Sequence, residues 1–224
     1  MLGLLGFRDA IQHRIRRHIA PQLVQIRIRG RQIEPLAATG LRVLAPDQRG
    51  YNLSAKPEGL QAYVLDRLAE DVLGLADALQ HRRFRVAGHD WGGVVAWHLA
   101  RHHPDRIVRA AVLNAPDPGT MDRFARSRPR QIARSWYMAF FQLPALPEAT
   151  LRAGDFAWLR SALTRSSRPG TFTADDLAVY RAAWRQPGAL TAMLNWYRAL
   201  RLRRRAVVTA PIEVPVRVIW GDGD

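Results

Sequence analysis

Asp90 stands inside the run Phe84-Arg85-Val86-Ala87-Gly88-His89-Asp90-Trp91-Gly92-Gly93. The apolar stretch Phe84–Ala87 reads as a short buried strand, and Gly93–His103 continues with a helical pattern. Gly88 and Gly92 bracket the aspartate as Gly-x-Asp-x-Gly. A strand, a sharp turn and a helix with one reactive side chain at the turn is a nucleophile elbow. Small residues are needed at 88 and 92 because a larger Cβ would clash with the crowded backbone. A carboxylate in that place needs no base to activate it, and it attacks a saturated carbon to give an ester. The same residues fit a plainer role. Aspartate before a helix is a favoured N-cap, and glycine-rich strand-to-helix turns also cradle phosphates. Taken alone, the motif leaves both readings open.

The surrounding pattern supplies the elements that must position Asp90. Gln32–Thr39 reads as the end of a helix with Gly40 as its stop, and Leu41–Ala45 as a strand. Pro46–Glu58 is a loop carrying Asp47-Gln48-Arg49-Gly50-Tyr51. Gln61–Leu79 has an amphipathic helical stripe at Val64, Leu65, Leu68, Val72, Leu75 and Leu79. Pro104 stops the helix after the elbow, and Ile107–Leu113 is another continuous apolar run. Strands alternating with helices predict a parallel sheet covered on both faces. Beyond Asn114-Ala115-Pro116 the pattern turns helical until about residue 210, with a start signal at Thr173 and Asp176 and a last helix over Leu190–Leu202. Val214–Trp220 returns to strand and leads into Gly221-Asp222-Gly223-Asp224. Upstream of Arg31 the text is least legible, although Leu23–Arg29 alternates with a strand period.

His89-Asp90-Trp91-Gly92-Gly93, with Asp47-Gln48-Arg49-Gly50-Tyr51 upstream, resembles the epoxide hydrolase branch of the α/β-hydrolase family over roughly Arg31 to Asp224. The resemblance implies an α/β fold: an α/β-hydrolase parallel sheet core, incomplete and shortened at both ends, with an inserted helical cap. Residues 1–116 and 211–224 would form the core, and 117–210 the cap or lid. It implies Asp90 as nucleophile and Asp224 as the acid that orients a histidine, with Asp222 as the second candidate. Trp136-Tyr137-Met138 and Asn195-Trp196-Tyr197-Arg198 resemble the segments that carry paired ring-opening tyrosines, so Tyr137 and Tyr197 become candidate proton donors to an epoxide oxygen. Considered singly, each tyrosine reads equally well as a packing residue with a satisfied hydroxyl. The backbone N–H of Trp91 is the first candidate for an oxyanion hole. Phe7, in Leu5-Gly6-Phe7-Arg8, is the second, where the family has a His-Gly-x-Pro turn. In this fold the base follows the acid in chain order, yet all seven histidines precede Asp224. The substrate implied is a small-molecule epoxide opened to a diol, with no cofactor and no metal. A haloalkane or haloacetate dehalogenase would use the same aspartate, with Trp91 as halide donor, but has no use for the tyrosine pair. A non-catalytic remnant that keeps the motifs without the machinery is the reading from a different class.

Composition narrows the field. With 224 residues, 48% of them apolar, and seven tryptophans, the chain has material for one core and an inserted subdomain. There is no cysteine, which excludes disulfides and thiolate metal sites. No apolar run approaches the ~20 residues of a membrane span, and the N-terminus lacks a signal-peptide pattern, so a cytoplasmic location is expected. The formal charge of +15 is almost all arginine, since Lys56 is the only lysine. Most of these arginines fall on the polar faces of predicted helices, and no base-reading motif accompanies them, so nucleic-acid binding is not expected.

Overall fold

The computed structural model describes residues 27–121, 135–202 and 211–221. These residues divide into two compact units. One comprises 63–121, 135–138, 200–202 and 211–221; the other comprises 27–62 and 139–199.

The first unit is built on a parallel three-stranded sheet in the order β1 (Phe84–His89), β2 (Ile107–Leu113), β3 (Val216–Ile219). Register pairs Gly88 with Val112 and His89 with Leu113, and on the other side Leu113 with Ile219. Two helices precede or follow β1: α2 (Leu65–Ala78) and α3 (Trp91–His102), with α3 packed on β1 and β2 and α2 packed on α3. Val95, Ala96, Leu99 and Ala100 of α3 and Ile107, Ala110 and Val112 of β2 are all buried, and Ala96 and Val112 share one cluster with Ala115. The amphipathic stripe predicted over Gln61–Leu79 is broken into a 3₁₀ turn at Leu60–Tyr63 and α2, because Val64 takes an extended conformation as its N-cap. Burial along β1 alternates, with Arg85, Ala87 and His89 exposed. Among the described residues this strand is therefore covered on one face, where its apolar run predicts two.

The second unit is helical. It contains α1 (Arg27–Ala38), α5 (Leu146–Arg165), α6 (Ala174–Trp184) and α7 (Ala189–Arg198), the last running into a 3₁₀ turn at Ala199–Leu202. A short helix, α4 (Trp136–Phe140), leads into it. The start signal at Thr173 is a reciprocal capping box: its hydroxyl accepts from the Asp176 N–H at 3.1 Å, and the Asp176 carboxylate accepts from the Thr173 N–H at 2.9 Å. Gly40, at φ +82°, ends α1 as expected. Two sequence expectations fail here. Arg27–Arg29 lies in a helix rather than a strand, and 41–48 holds no regular structure rather than a strand. An alternating or continuous apolar run states only where side chains are buried; a strand also needs a ladder partner for its backbone groups. Among the described residues Leu41–Ala45 has no such partner.

Inside α5 the helix is interrupted. Gly154, Asp155 and Phe156 all have positive φ, at 56°, 53° and 62°. The two non-glycine residues pay a steric cost there, and tertiary contacts hold them. The Asp155 carboxylate accepts from the guanidinium groups of Arg181 and Arg185 on α6, and the buried Phe156 ring lies 5.8 Å from that of Trp184.

Candidate active site

Asp90 sits where β1 ends and α3 begins, with φ 51° and ψ −123°. Its side chain makes no capping hydrogen bond to the first turn of α3, so the N-cap reading does not describe it. The backbone instead fastens the turn. The Asp90 N–H donates to the Leu113 carbonyl at 3.3 Å, and the Val94 N–H donates to the Asp90 carbonyl at 3.0 Å. The glycines answer to this geometry. A Cβ on Gly88 would lie 2.1 Å from the Gly92 carbonyl oxygen, and one on Gly93 would lie 2.6 Å from Cβ of Ala115. Both clearances are far below contact distance, so strand and helix pass too closely for any side chain. The elbow expected at Gly-x-Asp-x-Gly is the conformation found, and Trp91 opens α3 as expected.

Tyr137 belongs to the same unit as Asp90. Burial pushes its phenol pKa above the ordinary 10.0, and the negative charge of Asp90 pushes it further the same way. Both effects favour the neutral, proton-bearing hydroxyl. A phenol kept protonated within the field of a carboxylate is suited to donate a proton to an oxygen that gains charge while that carboxylate bonds to carbon.

Tyr197 belongs to the second unit, near the C-terminal end of α7. Its ring packs edge-on against Phe141 at 5.0 Å, and its carbonyl accepts from the side-chain amide of Gln142 at 3.1 Å. The neighbouring Trp196 is almost wholly buried, donates its indole N–H to the Arg49 carbonyl at 3.0 Å, and meets the Tyr51 ring edge-on at 5.4 Å. The loop Asp47–Tyr51 therefore packs on the helix that bears Tyr197. That loop is internally braced. Asn52 donates to the buried Asp47 carboxylate at 2.9 Å, Ser54 donates to its carbonyl at 2.6 Å, and Gly50 turns at φ 91°. Lys56 donates to the carbonyls of Asn52 and Ser54, and burial lowers its pKa against the opposing pull of Asp47. The sequence marks this loop without assigning it a task. Only the fold brings Arg49 to Trp196, across 147 positions.

Phe7, Asp222 and Asp224 lie outside the described residues, so the second oxyanion donor and the orienting acid remain sequence expectations. His98, His102 and His103 cluster at the end of α3, His98 with Nε2 3.0 Å from a carboxylate oxygen of Asp66. Among the described residues no group of histidine and acidic side chains is arranged to hold a metal ion, and no helix is long and apolar enough to cross a membrane.

Known proteins carry the same combination of sequence and fold. Residues 25–224 match the family model described as alpha/beta hydrolase fold. The chain is 49% identical over 193 residues to AB hydrolase superfamily protein YfhM of Bacillus subtilis, covering 86% of this chain and 68% of that protein. It is 35% identical over 192 residues to mouse Epoxide hydrolase 4, covering 82% of this chain and 52% of the relative, about half its length. Among solved structures, an epoxide hydrolase of Bacillus megaterium in complex with an inhibitor superposes with a TM-score of 0.75 at 30% identity, over 90% of this chain and 72% of that one. The chain belongs to the α/β-hydrolase fold family, with epoxide hydrolases among its relatives.

Proposed function

We propose that this chain carries the chemistry of an epoxide hydrolase, acting on a small-molecule epoxide through an aspartyl ester at Asp90. A carboxylate oxygen of Asp90 forms a bond to one epoxide carbon while the bond from that carbon to the ring oxygen breaks. The departing oxygen takes the electron pair and a proton from the hydroxyl of Tyr137 or Tyr197. Water then adds to the ester carbonyl, and the N–H groups of Trp91 and Phe7 stabilise the resulting oxyanion. Collapse breaks the bond to the alkoxide, which leaves as the diol with one proton of the water, while the other returns to the tyrosine and the carboxylate is freed. In the second step a histidine oriented by Asp224 would remove the proton from water. The 224 residues hold no histidine after Asp224.

The observation that carries this reading is the pairing of Asp90 with Tyr137. The carboxylate stands at a tight turn without serving as a helix cap, and its charge bears on a half-buried phenol that stays protonated. The relatives named for epoxide hydrolysis support the same reaction class. Intact-mass spectrometry of the purified chain with a reactive aryl epoxide tests it. The expected result is one adduct per chain, absent in Asp90→Asn. Halide release from an alkyl halide, with no adduct or diol from epoxides, would assign dehalogenase chemistry to Asp90 instead. No adduct from either reagent would leave the elbow as a scaffold without catalysis.

A further inference from the structure

Arg198 directly follows Tyr197 and is one of three buried polar or charged side chains among the described residues. Its guanidinium is used on nearly every side. Nε donates to the Phe141 carbonyl at 2.9 Å and Nη2 to the Leu143 carbonyl at 2.7 Å. Nη1 and Nη2 also donate to the two carboxylate oxygens of Glu148 at 2.7 and 3.0 Å. This is a forked pair on a carboxylate with two backbone carbonyls added, a set of directions that only a planar guanidinium supplies. Burial alone pushes the Glu148 carboxyl up, but the hydrogen bonds and charge of Arg198, with the Thr191 hydroxyl, hold it below the usual carboxylate range. The pair is therefore charged and nearly dry, which makes breaking one partner costly.

The three-residue turn that Arg198 grips also holds Tyr197. Phe141 packs its ring against that of Tyr197, and Gln142 donates to the Tyr197 carbonyl. Phe141 and Leu143 give their carbonyls to Arg198. The ring, the carbonyl and the next side chain of the Tyr197 segment are all referred to residues 141–143, and Glu148 ties that grip to α5.

We infer that Arg198, clasped by Glu148, is a positioning residue that fixes the Tyr197 phenol in the orientation needed for proton donation. The inference rests on the epoxide reading and extends it to a residue that touches no reacting atom. Lysine at 198 keeps the charge but presents it as a point, so it loses the carbonyls of the turn while it still neutralises Glu148. An error of about 1 Å in a catalytic group costs on the order of 100-fold in rate.

The test compares two alkylating reagents of the same aryl skeleton, one an epoxide and one an alkyl bromide. Both would esterify Asp90, but only the epoxide needs a proton on its leaving oxygen. Adduct formation is followed by intact mass in the wild-type chain, Arg198→Lys, Glu148→Gln and Tyr197→Phe. The expected result is that Arg198→Lys slows the epoxide adduct by roughly 10- to 100-fold and leaves the bromide adduct unchanged. Glu148→Gln should show a smaller loss of the same kind, and the unchanged bromide reaction certifies that the fold and Asp90 are intact. Equal slowing with both reagents would make the clasp a general stabiliser and overturn the inference, as would no slowing with either. A Tyr197→Phe variant that keeps the full epoxide rate would overturn the acid role of Tyr197, and the clasp with it, leaving Tyr137 as the donor. A wild-type chain that takes the bromide but not the epoxide would mean that the epoxide reading itself has failed, not only the clasp.

Discussion

Three glycines in this chain look alike in sequence and differ in what they are for. Gly88 and Gly93 are demanded by contact, because a Cβ on either would lie inside its neighbours, whereas Gly40 has nothing within 4 Å and is demanded only by its φ of +82°. Substitution should separate the two. Gly40→Ala is expected to cost roughly 1 kcal/mol, the strain of a left-handed alanine, and to leave Asp90 chemistry untouched. Gly88→Ala drives a methyl group into the Gly92 carbonyl, backbone against backbone, and is expected to cost more than about 4 kcal/mol. Thermal denaturation of the two variants measures this; a Gly88→Ala chain as stable as Gly40→Ala would mean the elbow is not packed as described. Tyr137 sets a second expectation at this scale. If its phenol is the proton donor of the proposed reaction, burial and Asp90, which both raise its pKa above the ordinary 10.0, keep the donor form into more alkaline solution than a free tyrosine would allow. The rate of epoxide adduct formation should therefore stay level from neutral pH to about 10. A fall setting in a full unit lower would assign proton donation to some other group.

At the scale of elements, legibility in the sequence tracks locality. β2 was written in a continuous apolar run, the start of α6 in a capping box four residues long, and the elbow in ten consecutive residues. Each of those signals is complete within its own stretch of chain. Leu41–Ala45 has the composition of a strand but no ladder partner among the described residues, and Arg27–Arg29 shows a strand period inside a helix. The break in α5 at Gly154–Phe156 is held by Arg181 and Arg185 from α6, 26 and 30 positions on, and no local pattern announces it. The clasp of Arg198 on Glu148 spans 50 positions and is equally silent. The candidate site divides the same way: Asp90 and its turn were legible, while the environment of each tyrosine was not. The end of α3 yields an element-scale expectation. His98 is largely buried between α3 and Asp66, and its pKa is pulled from 6.5 to about 4, by burial first and then by His102, with His103 adding to it against the opposing pull of Asp66. The folded imidazole is thus neutral where the unfolded one binds a proton. Stability is lost as pH falls from about 6.5 towards 4, by up to roughly 3 kcal/mol. His102 is lowered too and contributes in the same direction. Urea denaturation at a series of pH values should show this slope, and His98→Gln should flatten most of it. An unchanged slope in the variant would place the acid sensitivity elsewhere.

At the scale of the whole molecule, the proposed reaction divides into two halves that ask for different equipment. Ester formation needs a carboxylate, a proton donor and an accessible carbon, and the residues proposed for it are Asp90 and Tyr137 or Tyr197. Ester hydrolysis needs a base for water as well as N–H donors for the oxyanion, and this fold takes that base from a histidine after the acid. The described histidines nearest in sequence to Asp90 are committed or exposed. His98 packs at the end of α3 beside Asp66, with His102 and His103 grouped against it, and His81 and, on β1, His89 are exposed. Loss of a triad base typically lowers turnover by several orders of magnitude while binding and oxyanion stabilisation survive. Acting without such a base, the chain is expected to take up an aryl epoxide in a single burst and then stop, holding the ester at Asp90. Intact mass should rise by the mass of one epoxide and stay there, with less than one equivalent of diol in solution. Hydroxylamine, a nucleophile that needs no enzymic base, should attack the ester carbonyl, release the diol and leave a hydroxamate at Asp90. Sustained diol production would refute this and would show that one of the seven histidines ahead of Asp224 serves as base; replacing each by Gln in turn would identify it by loss of turnover with the burst preserved.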